Sequence, residues 1–116
     1  MKRDISIYVK DILENMERAE KFAEGMDYED FVRDERTSFA VIRCIEIMGE
    51  AAKHVPEDIR GKYPEVPWKD IAGMRDKVIH SYFGVNLERV WMVVKENIPQ
   101  LKLHVRKTLH ELQKGN

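Results

Sequence analysis

Residues 41–55 read VIRCIEIMGEAAKHV, and the spacing of the apolar side chains in this stretch decides the fold class. Apolar residues recur every three or four positions, as on one face of an α-helix: Val41, Cys44, Ile45, Met48, Ala51, Ala52 and Val55. The other side of the helix that contains this stretch carries polar residues: Arg36, Arg43, Glu46, Glu50, Lys53 and His54. The pattern predicts an amphipathic helix from about Tyr28 to His54, ended by Pro56.

The same helical spacing extends to both sides of this stretch. Upstream it predicts a helix from about Asp4 to Glu24, ended by Gly25. Downstream, residues 56–66 should form a short helical turn and a loop, and a helix starting near Pro67 should end between His80 and Gly84. A last helix, capped by Asn86, should kink at Pro99 because proline lacks a backbone donor.

The order of these elements predicts an all-α fold. No segment has a strand pattern, and four main helices are joined by short connections. We therefore expect a single domain over residues 1–116 that forms an up-and-down bundle of four to five helices. The apolar seams on these helices, in a chain of this size, favour a homodimer with two-fold symmetry.

Composition narrows the range of functions. The chain has 116 residues, of which 43% are hydrophobic and 35% charged, which argues against intrinsic disorder. The net charge of −1 means that any contact with nucleic acid must come from a local basic patch. Cys44 cannot form an intrachain disulfide and is interpreted as a buried structural thiol. With no apolar signal region and no membrane-length stretch, the expected location is the cytoplasm.

Arg75 occupies a position where an ordinary amphipathic helix would carry an apolar residue. On a continuous helix its apolar neighbours lie within about 60° of it: Trp68, Ile71, Ala72, Val78, Ile79 and Tyr82. A buried arginine needs an anionic partner, because its guanidinium cannot lose its proton. His80, about 140° away, borders the same face together with Asp76. A permanent cation beside a side chain that titrates near neutral pH suits phosphate chemistry.

The anion that meets Arg75 is either a carboxylate of this chain or the phosphate of a ligand. Glu46 and Glu50 lie within about 40° of each other on one helix, with Arg43 close by. One of these glutamates could pair with Arg75 in the free protein, or the group could be a solvated charged face. His54, His104 and His110 are interpreted as surface histidines. The sequence predicts no metal site and no cofactor, since neither ligand spacing nor a glycine-rich phosphate loop is present.

The run from Pro67 to Tyr82 resembles a known family. Arg75, His80 and Tyr82 match the R-x4-H-x-Y signature of HEPN-domain proteins, and the surrounding residues resemble the HepT toxin branch. Asp76 stands where members of that family often carry asparagine, which changes a possible hydrogen-bond donor into an acceptor. The resemblance spans nearly the whole chain.

The resemblance implies a function and partners. HepT-like proteins are metal-independent endoribonuclease toxins whose motifs face each other across a dimer two-fold axis. By this likeness, Arg75 would bind the scissile phosphate of RNA and His80 would act as the acid or base. Asp76 would orient a neighbouring group, and Tyr82 would line the pocket. A cognate minimal nucleotidyltransferase antitoxin would silence the toxin by attaching AMP to the Tyr82 hydroxyl.

Two alternatives remain open from the sequence. The chain could be a non-catalytic subunit that binds a nucleotide or a nucleotidyltransferase, with Arg75 as a phosphate anchor. It could also be a purely structural dimer in which Arg75 pairs with Glu46 or Glu50 and His80 has no chemical role. For Tyr82, the alternative to modification is a core position with its hydroxyl bonded to the backbone.

Overall fold

A computed structural model describes residues 4–80 and 84–114 of the chain, without the side chains of Ile79 and His80. The elements follow in this order: α1 Ile5–Phe22, α2 Tyr28–Arg33, α3 Glu35–Lys53, α4 Glu57–Lys62, α5 Trp68–Val78, β1 Ile79–His80, β2 Gly84–Val85, α6 Leu87–Met92, a π-helical segment Val93–Asn97, and α7 Ile98–Lys114. The prediction of an all-α fold is confirmed, apart from the two short strands.

The helix α3 lies at the centre of the packing. It packs against α1 on one side and α5 on another, and α1 also packs against α7. Every apolar residue of the predicted α3 stripe is buried, from Val41 to Val55, and so are Val9, Ile12 and Met16 of α1. Burial also raises the pKa of the Cys44 thiol, as expected for a structural cysteine. No helix in the described ranges is long and apolar enough to cross a membrane.

The predicted helix from Tyr28 to His54 is wrong in one respect, because it is divided at Asp34 into α2 and α3. The backbone of Asp34 is not helical, with φ −101° and ψ 89°. Its carboxylate accepts hydrogen bonds from the backbone N–H of Thr37 at 3.0 Å and from the Thr37 hydroxyl at 2.8 Å. These bonds hold the pKa of Asp34 below its ordinary value. Asp34 thus acts as the N-cap of α3.

The other end of α3 is fixed by a side chain that follows Pro56. Arg60 donates from Nε to the carbonyl of Val55 at 2.9 Å and from Nη2 to the carbonyl of Ala52 at 2.7 Å. The carbonyl of Ala52 also accepts from the backbone N–H of Val55 at 3.2 Å, in the tightened turn where the helix stops at Lys53. The turn and the short helix α4 that follow agree with the loop predicted for residues 56–66.

The last predicted helix contains an irregular stretch before the proline. The π-helical segment Val93–Asn97 ends two residues before Pro99. Because proline has no N–H, it cannot donate to the carbonyl of Lys95, four residues earlier. The ammonium of Lys95 is held between α1 and α6, where it donates to the carbonyl of Ala23 at 3.2 Å and lies 4.7 Å from the ring centre of Trp91.

Candidate active site

The helices α3 and α5 approach closely at a glycine. A β-carbon at Gly49 would lie 3.3 Å from the carbonyl oxygen of Ala72 and 3.8 Å from Cβ of Arg75. Glycine at this position therefore lets α5 lie directly on α3. Glu46, one helical turn before Gly49, is brought beside Arg75 by this contact.

Arg75 contacts two carboxylates. Its Nε lies 3.7 Å from Oε2 of Glu46, and its Nη1 lies 3.5 Å from Oδ1 of Asp76. The other carboxylate oxygen of Glu46 lies 3.9 Å from Nη1 of Arg43. Four charged side chains from α3 and α5 thus form one cluster around Glu46. The sequence left Glu46 and Glu50 as possible partners of Arg75, and in the structure the partner is Glu46. Oε1 of Glu50 lies 3.6 Å from Nζ of Lys53 instead.

The expectation that Arg75 lies mid-stripe on the buried face of α5 is wrong. Its side chain is 44% exposed. Met74 is 6% exposed, and its burial shifts the centre of the buried face away from Arg75. Each exposed ion pair contributes at most about 1 kcal/mol to the free energy of folding. Glu46 and Asp76 therefore hold the guanidinium of Arg75 only weakly. A phosphate, which can accept two parallel hydrogen bonds, can therefore compete for it.

His80 does not belong to the helix that carries Arg75. The helix α5 ends at Val78, earlier than predicted, and His80 lies on β1. Strands β1 and β2 are antiparallel, with Ile79 opposite Val85 and His80 opposite Gly84. The prediction that no strand is present is therefore wrong at this hairpin. The offset of about 140° between Arg75 and His80 assumed a continuous helix and does not apply.

Two of the predicted site side chains, those of His80 and Tyr82, lie outside the described residues. Tyr82 lies outside the described ranges, between β1 and β2 in the sequence. The side chain of His80 also lies outside the described part of the chain. Sequence reasoning also gave no role to Gly49. A glycine in the middle of a strongly helical segment lowers the stability of the helix, so its presence indicates a close packing contact. This was the signal in the sequence that could have identified Gly49.

The backbone that carries His80 depends on Gly84, whose φ is +83°. We expect Gly84→Ala to destabilise the protein by about 1–2 kcal/mol, because other residues adopt this conformation only at that cost. Gly25, with φ +76°, is a matched control at the end of α1. Both variants should lower the melting temperature similarly, while only Gly84→Ala should also slow the RNA cleavage that the family likeness of the motif implies. Equal cleavage by the two variants at a temperature where both are folded would contradict a role for this hairpin.

Within residues 4–80 and 84–114, no group of three or more His, Cys, Asp and Glu residues is arranged to hold a metal ion. The described cluster is instead suited to binding an anion, since Arg43 is 68% exposed and Arg75 44% exposed. The family likeness assigns the role of acid or base to His80, five residues after Arg75. An exposed arginine five residues before a histidine agrees with the family likeness of the motif.

Comparison with known proteins identifies the family. The family model described as "Ribonuclease HepT-like" matches residues 12–108. The chain belongs to the HepT-like ribonuclease family. It is 47% identical over 112 residues to "Putative RNase MJ0125" of Methanocaldococcus jannaschii, covering 97% of each chain. It is 50% identical over 102 residues to "Probable ribonuclease HepT" of Thermococcus cleftensis, covering 88% of this chain and 93% of that protein.

A third relative also carries the name of a ribonuclease. The chain is 43% identical over 104 residues to "Putative RNase TTE0752" of Caldanaerobacter subterraneus, covering 90% of this chain and 93% of the relative. No solved structure matches the chain significantly. Relatives named as ribonucleases thus span nearly the full length of the chain, including the cluster around Glu46 and the motif from Arg75 to Tyr82.

Proposed function

We propose that the chain is a metal-independent endoribonuclease toxin of a toxin–antitoxin system. The observation that carries this proposal is the exposed guanidinium of Arg75, weakly held by Glu46 and Asp76 and five residues before His80. The HepT-like family and the ribonuclease names of the relatives support RNA as the substrate.

The chemistry that fits these residues uses the ribose 2′-hydroxyl as the nucleophile. Its oxygen attacks the adjacent phosphorus, the bond from phosphorus to the 5′-oxygen breaks, and a 2′,3′-cyclic phosphate forms. Arg75 stabilises the negative charge on the phosphorane, and His80 transfers a proton from the attacking oxygen or to the leaving oxygen. Asp76 orients the guanidinium that it contacts in the free protein.

Two proton transfers are needed, and the motif supplies one histidine per chain. A homodimer that brings two copies of Arg75 and His80 into one cleft provides both groups. Phe39 supports an interface near the motif, because it is 62% exposed and lies on the same face of α3 as Arg43 and Glu46. An exposed phenylalanine beside a charged cluster is a suitable centre for a contact between copies.

We expect Phe39→Glu to shift the dimer towards monomer by at least about tenfold in dissociation constant, because it removes an aromatic anchor and places a charge in the interface. Leu103→Glu is the matched control, since Leu103 is 63% exposed on α7. Analytical ultracentrifugation measures both. A monomeric wild-type protein that cleaves RNA at micromolar concentration, or equal dimerisation by the two variants, would contradict the interface.

The proposal includes a partner enzyme that controls the toxin. In this account a cognate minimal nucleotidyltransferase transfers AMP from ATP to the hydroxyl of Tyr82 and releases pyrophosphate. The added phosphate then occupies the guanidinium of Arg75 and excludes RNA by charge and bulk. This mode of inhibition requires no change of fold.

Incubation of the purified protein with RNA in the presence of a chelator tests the proposed activity. Cleavage that disappears in Arg75→Ala supports the ribonuclease. Nucleotide binding that depends on Arg75, without any cleavage, would instead support the binding subunit considered from the sequence.

A further inference from the structure

A cavity of about 320 Å³ between α1 and α3 lies beside the candidate active site. Seven residues line it: Tyr8, Asp11, Arg43, Ile47, Glu50, Ala51 and His54. We propose that this cavity binds one nucleobase of the RNA, next to the phosphate that is cut, and that it prefers guanine. The inference rests on the proposed function and adds a substrate preference to it.

The size and lining of the cavity suit a single base. Its volume is near the lower end of ligand pockets, about 300–1,000 Å³, which leaves room for a base but not for a larger ligand. Ile47 and Ala51 give it apolar surface. The rings of Tyr8 and His54 are stacked at its border, with centroids 5.1 Å apart and planes 17° from parallel. RNA-binding proteins commonly hold unpaired bases against aromatic rings of this kind.

Arg43 connects the cavity to the active-site cluster. Its side chain lines the cavity, and its Nη1 lies 3.9 Å from Oε1 of Glu46. The other oxygen of Glu46 lies 3.7 Å from Nε of Arg75. A base in the cavity would thus belong to a nucleotide adjoining the phosphate at Arg75, and the exposed Arg43 guanidinium can bind the same phosphate.

The preference for guanine follows from the carboxylate of Glu50. This side chain lines the cavity and is 60% exposed, with a weak contact to Lys53 at 3.6 Å. Guanine presents two adjacent donors, N1–H and the 2-amino group, which match the two oxygens of a carboxylate. Adenine and cytosine present one amino donor beside an acceptor, and uracil presents one N–H between two carbonyls. Only guanine can therefore bind the carboxylate through two parallel hydrogen bonds.

Methyl NMR of the full chain tests the site directly. GMP, AMP, CMP and UMP are titrated into protein labelled at isoleucine and alanine methyl groups. We expect the signals of Ile47 and Ala51 to shift with all four nucleotides and to saturate with GMP at a concentration at least about fivefold lower, as bidentate base recognition implies. Ile98, fully buried at the start of α7, provides a reference methyl that should not move.

Two glutamate variants test the preference. Glu50→Gln should reduce the advantage of GMP over AMP to less than about twofold, because glutamine cannot accept both donors of guanine. Glu57→Gln, on the exposed first turn of α4, is the control and should keep the full advantage. No shift at Ile47 and Ala51 with any nucleotide, or an unchanged preference in Glu50→Gln, would overturn the proposal.

These experiments distinguish failure of the base site from failure of the proposed ribonuclease function. Nucleotide-dependent methyl shifts without RNA cleavage would refute the ribonuclease but keep the base site. RNA cleavage without these shifts would refute the base site alone. Shifts of the same methyls on dilution, with no effect of nucleotides, would show that a second copy of the chain covers the cavity and would also refute it.

Discussion

Replacing Arg75 by alanine should lower the rate of RNA cleavage at least ~10²-fold, and replacing His80 by alanine should have a similar effect. In the proposed mechanism, the first change removes the cation that stabilises the phosphorane, and the second removes the proton-transfer group. Initial rates on a labelled single-stranded RNA measure both losses. Arg75→Ala should fold, since Arg75 is 44% exposed and its ion pairs are weak, and circular dichroism checks the folding of both variants.

Two controls sharpen this prediction. Lys77→Ala removes an exposed cation from the same helix and should change the rate by less than about twofold if the site depends on Arg75 rather than on net charge. Arg75→Lys keeps the charge but loses the planar pair of donors, so its rate should remain well below the wild-type rate. Full activity in His80→Ala, with circular dichroism unchanged, would refute the mechanism.

Modification of Tyr82 should abolish cleavage almost completely. After incubation with ATP and the cognate nucleotidyltransferase, we expect mass spectrometry to locate one or more AMP units on Tyr82. In the proposed account each unit carries a phosphate that binds the guanidinium of Arg75, from a tyrosine two residues after His80 in sequence. Cleavage should stop for an electrostatic reason, because the phosphate of the adduct carries the same negative charge as the RNA phosphate that it displaces.

Tyr82→Phe is the variant that separates control from catalysis. It should still cut RNA, at least in part, and should resist silencing by the partner enzyme because it has no hydroxyl to accept AMP. Tyr63→Phe, at a tyrosine that is 8% exposed near α4, is the control and should be silenced normally. Normal silencing of Tyr82→Phe, or an unmodified Tyr82 in the silenced wild-type protein, would contradict this account.

Much of the fold could be predicted because the apolar spacing of the long helices is regular. The stripes of α1 and α3 mark the faces that are buried, and Gly25 and Pro56 mark where helices end. The break at Asp34 was missed because an aspartate within a helical pattern is ambiguous. Only the bonds from Thr37 show that it acts as a cap.

The site was harder to predict because its geometry depends on contacts between helices. Sequence spacing placed Arg75 in the middle of an apolar stripe, but burial of Met74 turns the helix so that the guanidinium reaches solvent. Arg75 pairs with Glu46 and not Glu50 because α5 approaches α3 at Gly49. This contact between two helices cannot be read from the spacing of residues along one helix. The end of α5 at Val78 depends on the hairpin that follows it.

The chemical identity of the RNA ends produced in excess EDTA tests the central claim most directly. Wild-type protein should cut RNA in EDTA at nearly the rate seen without it, leaving 2′,3′-cyclic phosphate or its hydrolysed form and a 5′-hydroxyl on the other fragment. These ends follow from attack by the 2′-hydroxyl at the phosphate bound by Arg75. Cleavage that is lost in EDTA and restored by a divalent metal, or fragments with 3′-hydroxyl and 5′-phosphate ends, would contradict the account.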